Sequence, residues 1–341
     1  MSAGALNETE MAALLAPFAH LGPFALAVSG GPDSTAMMGI CALMRAGRGD
    51  IVVTVDHGLR SESRGEAEAT VAAAHALGFE GVVLSWRGEK PASGLQEAAR
   101  DARYALIQRF AEGRGIRHVM LAHTLDDQAE TVLMRLMHGS GLRGLAGMRR
   151  VAERAGLCLV RPLLSVPKAR LVATCIDRGW PFSTDPTNSN PAFLRPRLRA
   201  LLPVLAAEGL TAARLAVLAE RAAQADALLD QVARAGLAES DAVLKGRDLS
   251  QGAVSAPVML GHGREKAVRM LEHAIRKVDP ETRQALPLER LERLAERLIA
   301  AFAGEKRYAG TIAGIKVVLN GEIVRFSIAP PRRRGLTPPA R

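Results

Sequence analysis

The first half of the chain alternates between apolar, strand-like runs and helix-like segments, and this alternation constrains the fold more than any other feature. The strand-like runs are residues 24–29, 51–56, 81–86, 118–122 and 157–162. The helix-like segments are residues 34–46, 62–77, 95–112, 126–138 and 166–178. Strands that alternate with helices form a parallel sheet with helices on both faces. The pattern therefore predicts an α/β fold with a five-stranded, doubly wound parallel sheet, in which ligands bind at the carboxyl ends of the strands.

The second half differs, because helix-like patterns rich in Ala, Leu and Arg replace the alternation. These patterns occupy residues 198–206, 211–235, 266–277 and 288–303. The chain then predicts a small β-hairpin, with strands at residues 311–319 and 322–328 and a tight turn at Asn320-Gly321. The predicted organisation is an α/β domain, a mostly helical region and a disordered tail, at residues 1–190, 191–330 and 331–341.

Positive charge is concentrated in the second half of the chain. The whole chain has a net charge of +10, and residues 190–341 alone carry 25 basic and 16 acidic residues. A basic region beside a nearly neutral one is typical of a catalytic domain joined to a module that binds a polyanion such as nucleic acid. Arginine accounts for 38 of the 45 basic residues, so an arginine-rich composition is an alternative explanation. Aromatic residues make up 4% of the chain, which argues against a stacking surface for single-stranded nucleic acid.

The cysteines and the N-terminal sequence favour a cytoplasmic protein. Cys41, Cys158 and Cys175 are too scattered for a disulfide framework and form no CxxC pair for a metal cluster. Residues 1–10 lack the basic and apolar regions of a secretion signal, and no apolar run has the roughly 18 residues that a membrane helix needs. We therefore expect reduced, buried cysteines and no membrane partner.

A short segment between the first strand and the first helix has the composition of an anion-binding loop. Residues 29–35 read Ser-Gly-Gly-Pro-Asp-Ser-Thr. The glycines let backbone amides approach an anion closely, and the N-terminus of the following helix adds positive potential. No lysine follows the glycines, so the segment is not a GxxxxGK[ST] loop. Its glycine spacing does not match a GxGxxG turn either. The alternative is an ordinary strand–turn–helix connection in which an Asp or Ser caps the helix.

This heptapeptide resembles the SGGxDS loop of the N-type ATP pyrophosphatases, also called PP-loop enzymes. The resemblance implies an adenine-nucleotide α-hydrolase-like fold that binds ATP and cleaves it between the α- and β-phosphates. It also implies that the loop residues bind phosphate: Ser29, Gly30, Gly31, Pro32, Asp33, Ser34 and Thr35. An acidic side chain is unusual beside an anion, and we interpret Asp33 as a catalytic residue and a ligand of Mg²⁺.

Further segments resemble one branch of this superfamily, the tRNA(Ile)-lysidine synthetases. The matching segments are VDHGLR at residues 55–60, ARDARY at 99–104, LAHTLDDQAET at 121–131, GLAGM at 144–148, RPLL at 161–164, DPTN at 185–188 and TIAGIKVV at 311–318. The resemblance runs from about residue 24 to residue 328. Two positions depart from the family pattern, because Thr124 replaces a second His and Pro196 replaces an Asn.

The resemblance implies an ATP-dependent ligase that acts on tRNA(Ile) with a CAU anticodon. ATP first adenylates the oxygen on carbon 2 of the wobble cytidine and releases pyrophosphate. The amine of free L-lysine then attacks that carbon and displaces AMP, which gives lysidine. The chain would need ATP and Mg²⁺, with residues 1–190 as the ATP-binding catalytic domain and residues 191–330 as the tRNA-binding region. Whether it forms a homodimer is left open.

The same resemblance assigns four residues to the nucleotide. His57 and His123, which follow the second and fourth predicted strands, are expected to contact it. Arg100 and Arg103 are expected to do the same, because residues three apart on a helix can face one anion. The alternative for this arginine pair is a solvated helix face.

Acidic residues after the fourth strand are expected to serve the second substrate. Asp127 and Glu130 lie three apart at the start of a helix, and we expect both to be catalytic, binding lysine and handling its proton. Asp126 is expected only to cap that helix, and helix-dipole stabilisation is the alternative role for the pair. The residues expected to bind tRNA phosphates are Arg195, Arg197 and Arg199, with ordinary surface charge as their alternative.

Two other classes of protein remain open at this point. Another PP-loop enzyme is one of them, but a tRNA-thiolating enzyme would need a cysteine pair near the cleft. A GMP or asparagine synthetase would need a glutaminase or channel domain, which the basic second half does not resemble. A non-catalytic RNA-binding protein with a degenerate loop is the other class, and the intact loop and acidic pair argue against it.

Overall fold

The computed structural model describes residues 4–59, 62–91, 93–183, 193–245, 252–261, 263–280 and 286–330. Contacts divide the chain into two compact units, Met1–Gly139 with Gly144–Glu220, and Ser140–Arg143 with Arg221–Arg341. This division lies downstream of the boundary predicted at residue 190, because the helix that follows residue 190 packs within the first unit. The DPTN segment and the predicted disordered tail lie outside the described residues.

A six-stranded sheet forms the centre of the first unit. Its strands are β1 (Phe24–Ala27), β2 (Ile51–Asp56), β3 (Glu80–Ser85), β4 (His118–Leu121), β5 (Val151–Arg154) and β6 (Leu157–Val160). The order is β3-β2-β1-β4-β6-β5, and every neighbouring pair is parallel except β5 and β6. The five predicted parallel strands are confirmed. The antiparallel strand β5 was not predicted, because three of its four residues are exposed and it therefore has no apolar run.

Helices cover both faces of this sheet, as the alternation predicts. In chain order they are α1 (Glu8–Leu15), a 3₁₀ helix (Ala16–Phe18), α2 (Pro32–Met44), α3 (Ser63–Ala76), α4 (Leu95–Gly113), α5 (Leu125–Met137), α6 (Leu142–Leu145), α7 (Lys168–Asp177) and α8 (Leu194–Ala207). Successive side chains of β1 point to opposite faces. Phe24 and Leu26 pack with residues of α2 and α7, whereas Ala25 packs with Ile107 and Ala111 of α4. Burying each large apolar side chain contributes roughly 1.5–3 kcal/mol.

Helix α8 and the first residues of α9 (Ala212–Val243) belong to the first unit. Leu202 and Leu205 of α8 and Leu215 of α9 pack against Val132 and Leu133 of α5. This apolar contact fixes the start of α8 beside the start of α5. Within the described residues no single helix is long and apolar enough to cross a membrane, and α8 with α9, bent by 97°, passes that test only as a pair.

In the second unit helices pack against a four-stranded antiparallel sheet. Its elements are β7 (Ala253–Ser255), α10 (Ala256–Leu260), α11 (Arg264–Val278), α12 (Leu288–Ala303), β8 (Tyr308–Ile312), β9 (Ile315–Asn320) and β10 (Ile323–Ile328). The predicted hairpin is confirmed, but its two turn residues are Gly321 and Glu322, because Asn320 still belongs to β9 and pairs with Ile323 of β10. The single strand predicted at residues 311–319 is wrong. Ala313 and Gly314 have φ of 47° and 79°, so the chain turns there between β8 and β9.

Candidate active site

The loop at residues 29–35 is held by its own hydroxyl groups and presents the N-terminus of α2. Ser34 Oγ donates to the carbonyl oxygen of Gly31 at 3.0 Å and accepts from the backbone N–H of Ser29 at 3.1 Å. Gly30 has a φ of 82°, a conformation that favours glycine. Gly31 is the N-cap residue, and within this loop no side chain caps the helix. The alternative of an Asp or Ser cap is therefore wrong, and the uncapped amides suit an anion.

Asp33 lies on the first turn of α2 and is paired on one oxygen only. Its Oδ2 accepts a hydrogen bond from Lys168 Nζ at 2.8 Å. Its Oδ1 is buried and has no hydrogen-bond partner among the described residues. Burial raises the pKa of Asp33 above its ordinary value, and the Lys168 ammonium opposes that shift. One carboxylate oxygen is thus left for a ligand.

This free oxygen fits a magnesium ion. Mg²⁺ takes oxygen ligands and is usually held by one or two carboxylates together with substrate phosphates. Asp33 Oδ1 supplies such a ligand. The described residues contain no group of three or more His, Cys, Asp or Glu that could hold a metal alone. A magnesium ion here would therefore depend on phosphate oxygens for the rest of its coordination.

The helix α5 begins with a capping box that the sequence did not predict. Thr124 is the N-cap residue, and its Oγ1 accepts from the backbone N–H of Asp127 at 3.3 Å. Asp127 Oδ2 accepts in return from the backbone N–H of Thr124 at 2.9 Å. The prediction that Asp126 caps this helix is wrong, because the side chain of Thr124 is the cap. Asp126 Oδ2 instead accepts from the backbone N–H of Lys168 at 2.7 Å, which ties α5 to α7.

Glu130 is fully buried one turn further along α5 and is bound by two arginines of α8. Its Oε1 accepts from Arg199 Nε at 2.5 Å, and its Oε2 accepts from Arg195 Nη1 at 3.2 Å. Asp127 Oδ1 lies 3.9 Å from a guanidinium nitrogen of each arginine. The structure thus joins the residues predicted to bind lysine with two of those predicted to bind tRNA. The third, Arg197, is exposed on the same helix.

Burial and ionic contacts within this cluster shift the pKa values of Glu130 and Arg199. Burial raises the pKa of Glu130, and the hydrogen bond from Arg199 opposes the rise. Burial lowers the pKa of Arg199, but its hydrogen bond to Glu130 together with the negative charges of Glu130, Asp127 and Asp33 outweighs this effect, and the net shift is upward. The two guanidinium groups balance the charges of Glu130 and Asp127, and each keeps part of its surface in solvent. Their exposed N–H groups suit a phosphate-bearing ligand.

His57 and Arg103, two of the predicted nucleotide residues, meet after β2. The Nε2 atom of His57 lies 3.2 Å from Arg103 Nη2, and its ring packs edge-on against Trp86. Burial, together with the Arg103 charge, lowers the pKa of His57 to about 4. Its Nδ1 is buried without a partner among the described residues. Arg100 lies elsewhere on α4, with its guanidinium over the ring of Tyr104, so the two arginines contact different groups.

His123, the remaining predicted nucleotide residue, follows β4 and is held by Arg161. Arg161 Nε donates to His123 Nδ1 at 3.2 Å, and Arg161 Nη1 donates to the carbonyl oxygen of Arg149 at 2.8 Å. The guanidinium is buried. His123 therefore lies between β4 and the acidic cluster, with one ring nitrogen already engaged.

Sequence reasoning missed Lys168 and assigned no role to Arg161. Lys168 begins α7, where a positive charge opposes the helix dipole and so needs another reason to be there. That mismatch is the signal that could have found it. For Arg161 the signal was the RPLL motif alone, which does not say what an arginine there contacts.

The fold and the loop define a class of protein. The family model described as the PP-loop domain matches residues 6–205. Among solved structures, the U34-tRNA thiolase NcsA from Methanococcus maripaludis with its [4Fe-4S] cluster matches with a TM-score of 0.53 and 16% identity, over 62% of this chain and 78% of that chain. At that identity the likeness concerns the fold alone.

Curated relatives narrow the class. A tRNA(Ile)-lysidine synthase from a Bradyrhizobium species is 46% identical over 96% of each chain, and one from Methylobacterium nodulans is 49% identical over 92% of each. The protein of that name from Rhodopseudomonas palustris is 45% identical over 96% of this chain and 97% of its own. The chain belongs to the tRNA(Ile)-lysidine synthase family of PP-loop enzymes. The predicted family, fold class and enzyme class are thereby confirmed.

Proposed function

We propose that this chain uses ATP to join free L-lysine to carbon 2 of the wobble cytidine in tRNA(Ile) with a CAU anticodon. The reaction runs through an adenylated cytidine and yields lysidine, AMP and pyrophosphate. The observation that carries the proposal is the placement of an uncapped phosphate loop and an acidic, arginine-bound cluster at one edge of one sheet. β1 and β4 are neighbours in that sheet, so the loop after β1 and the residues after β4 share its carboxyl edge.

The phosphate loop serves the first step, in which the cytidine oxygen attacks the α-phosphate. The amides at the start of α2 and the hydroxyls of Ser29, Ser34 and Thr35 bind the triphosphate. Lys168, already paired with Asp33, adds a positive charge beside the loop. Asp33 would hold Mg²⁺ through its Oδ1, and the ion would supply positive charge to the phosphates.

The acidic cluster serves the second step, in which the lysine amine attacks carbon 2 and AMP leaves. Lysine must be held through its positive charge and must then give up a proton, and a carboxylate can do both. Asp127 Oδ1 is the oxygen best placed for this, because Thr124 engages only Oδ2. Both carboxylate oxygens of Glu130 accept hydrogen bonds from arginines. Glu130 can therefore contact lysine only if its hydrogen bond from Arg195 or Arg199 breaks.

The arginines of α8 connect this cluster with tRNA. Arg195 and Arg199 are each about 40% exposed, at 39% and 41% of their side-chain surface. Their outer N–H groups can therefore reach an RNA phosphate while the inner ones remain on Glu130. Phosphate contacts of this kind place the wobble base beside the loop and the acidic pair, whereas selectivity comes from the flipped base itself.

Labelled lysine tests the proposal directly. The protein is incubated with ATP, Mg²⁺, labelled lysine and tRNA(Ile) bearing CAU, with tRNA(Met) and a U34 variant of tRNA(Ile) as controls. Incorporation into the first tRNA alone is the expected result. Pyrophosphate release on addition of that tRNA, without lysine incorporation, would keep the loop chemistry and overturn the choice of amine. If the reaction gives neither lysine incorporation nor pyrophosphate release, the proposal as a whole is overturned.

A further inference from the structure

The contact between Arg161 and His123 determines which nitrogen of the ring carries its proton. Arg161 Nε is always a donor, so His123 Nδ1 must accept at 3.2 Å. A neutral imidazole has one donor and one acceptor nitrogen. The proton of His123 is therefore on Nε2. Protonating the ring would place an N–H group on Nδ1 against the N–H of Arg161.

The surrounding charges also oppose protonation of His123. Arg161 follows β6, Arg100 lies on α4 and Arg195 lies on α8, and all three add positive potential at the ring. The negative charge of Asp127, on α5, favours the protonated form of the ring. Burial and the arginines prevail and lower the pKa of His123 to about 4. The ring is therefore neutral across the physiological range.

Arg161 is itself fixed in a way that a purely structural ion pair would not need. Its guanidinium donates to the ring of His123 and to the carbonyl oxygen of Arg149. Neither of these groups is a carboxylate. Keeping a buried positive charge beside neutral partners costs folding free energy. The arrangement therefore indicates that Arg161 has a role in the function of the site and not in stability alone.

We propose that Arg161 is a positioning residue that holds His123 as a neutral ring with its Nε2–H free to donate to an anionic oxygen of the bound nucleotide. The choice of a nucleotide oxygen rests on the proposed function, because His123 follows β4, the neighbour of the strand that carries the phosphate loop. The arginines around the ring favour an anion there as well. The protonation state of the ring does not rest on the proposed function.

Nuclear magnetic resonance of the free, full-length protein with ¹⁵N-labelled histidine tests the protonation state. The expected wild-type spectrum shows the His123 proton on Nε2, with no titration between pH 5.5 and 8. Arg161→Met removes the donor and one charge, so the pKa of His123 rises by about one unit or more toward its ordinary value. A wild-type ring with its proton on Nδ1, or one that titrates near pH 6.5, would overturn the inference. If Arg161→Met does not fold, Arg161→Lys is used instead, because it keeps a positive charge but loses the Nε donor. The His123 ring of this variant is then expected to carry its proton on either nitrogen, and no longer on Nε2 alone.

The pH profile of the reaction tests the role. Without Arg161 the neutral ring can carry its proton on Nδ1, whereas the protonated ring always keeps the Nε2–H and adds a positive charge. The rate of lysidine formation by Arg161→Met, divided by the wild-type rate at each pH, is therefore expected to rise about twofold or more as the pH falls from 7.5 to 5.5. Adding His123→Gln supplies an amide N–H near the former Nε2 that does not titrate, so the double variant regains a flat ratio. His75→Gln, an exposed histidine on α3, is the matched control. A flat ratio for Arg161→Met would overturn the positioning role of Arg161 and would leave lysidine synthesis intact. A wild-type protein that makes no lysidine would count against the proposed function alone.

Discussion

The phosphate loop and the acidic cluster share one edge of the sheet but are held together in different ways. The loop is shaped mainly by local contacts, because its own hydroxyl groups make hydrogen bonds over three to five positions, and Ser183, 153 positions away, adds a hydrogen bond to the carbonyl oxygen of Gly30. The cluster is assembled from distant segments, and Glu130 is paired with arginines 65 and 69 positions away. Neutral groups and backbone amides dominate the first region, and charged side chains dominate the second. The comparison predicts that variants in the two regions fail differently.

The largest effect is expected from breaking the ion pair between Asp33 of the loop and Lys168. Lys168→Met leaves Asp33 Oδ2 without its partner and removes the positive charge beside the phosphates. Pyrophosphate release should fall about 10²–10³-fold, the usual cost of losing one electrostatic contact to a reacting phosphate or carbonyl. Stopped reactions with labelled ATP measure the rate. Arg170→Met on the same helix removes a pair with Glu10 away from the loop and should leave the rate within about twofold of wild type.

The next effect breaks the cluster. Glu130→Gln leaves Arg195 and Arg199 without their buried anion, and the free energy of unfolding should fall by about 2–4 kcal/mol. The matched control is Glu80→Gln, which breaks an exposed pair with Arg114 and should cost less than about 1 kcal/mol. Urea titration of both variants measures the difference. Equal losses would show that burial does not distinguish the two pairs.

Two histidines outside the loop and the acidic cluster contribute to the pH dependence of stability. His57 and His123 have pKa values of about 4 in the folded protein and an ordinary value of about 6.5 when unfolded. The unfolded chain therefore binds more protons as pH falls from 6.5 to 4, and the free energy of unfolding declines over that window. After allowance for solvent exposure, the decline should reach about 1–3 kcal/mol. Replacing both histidines by Asn should flatten the curve, and an unchanged slope would contradict the low pKa values.

The smallest effect sharpens the description of the loop backbone. Gly30→Ala forces alanine to a φ of 82° and places its Cβ 2.8 Å from Thr70 Oγ1, so it should cost about 1–2 kcal/mol and weaken ATP binding. Gly113→Ala, at the end of α4, meets nothing within 4 Å and should be neutral or slightly stabilising. Thermal unfolding with and without ATP compares the two variants. A harmless Gly30→Ala would mean that the loop tolerates a different backbone.

The same contrast explains what the sequence could predict. The seven loop residues and the five parallel strands follow from local composition, and both were predicted. Thr124 was overlooked as a cap because an acidic residue two positions later was an equally good candidate from its type. The pairing of Asp33 with Lys168 spans 135 positions, and no local pattern encodes such a contact. Exposed strand β5 was missed because it lacks an apolar run. The turn at Ala313 and Gly314 was missed because apolar residues on both sides give the segment the pattern of one continuous strand.

Measuring both products in one reaction tests most directly whether the sheet edge carries two separate half-sites. Asp127→Asn keeps an oxygen to accept from the backbone N–H of Thr124, so the helix start survives while the charge is lost. On addition of tRNA(Ile) with CAU, this variant should release pyrophosphate at close to the wild-type rate. It should incorporate lysine at least about 100-fold more slowly. An equal loss of pyrophosphate release and lysine incorporation would contradict the division of labour between the loop and the acidic cluster.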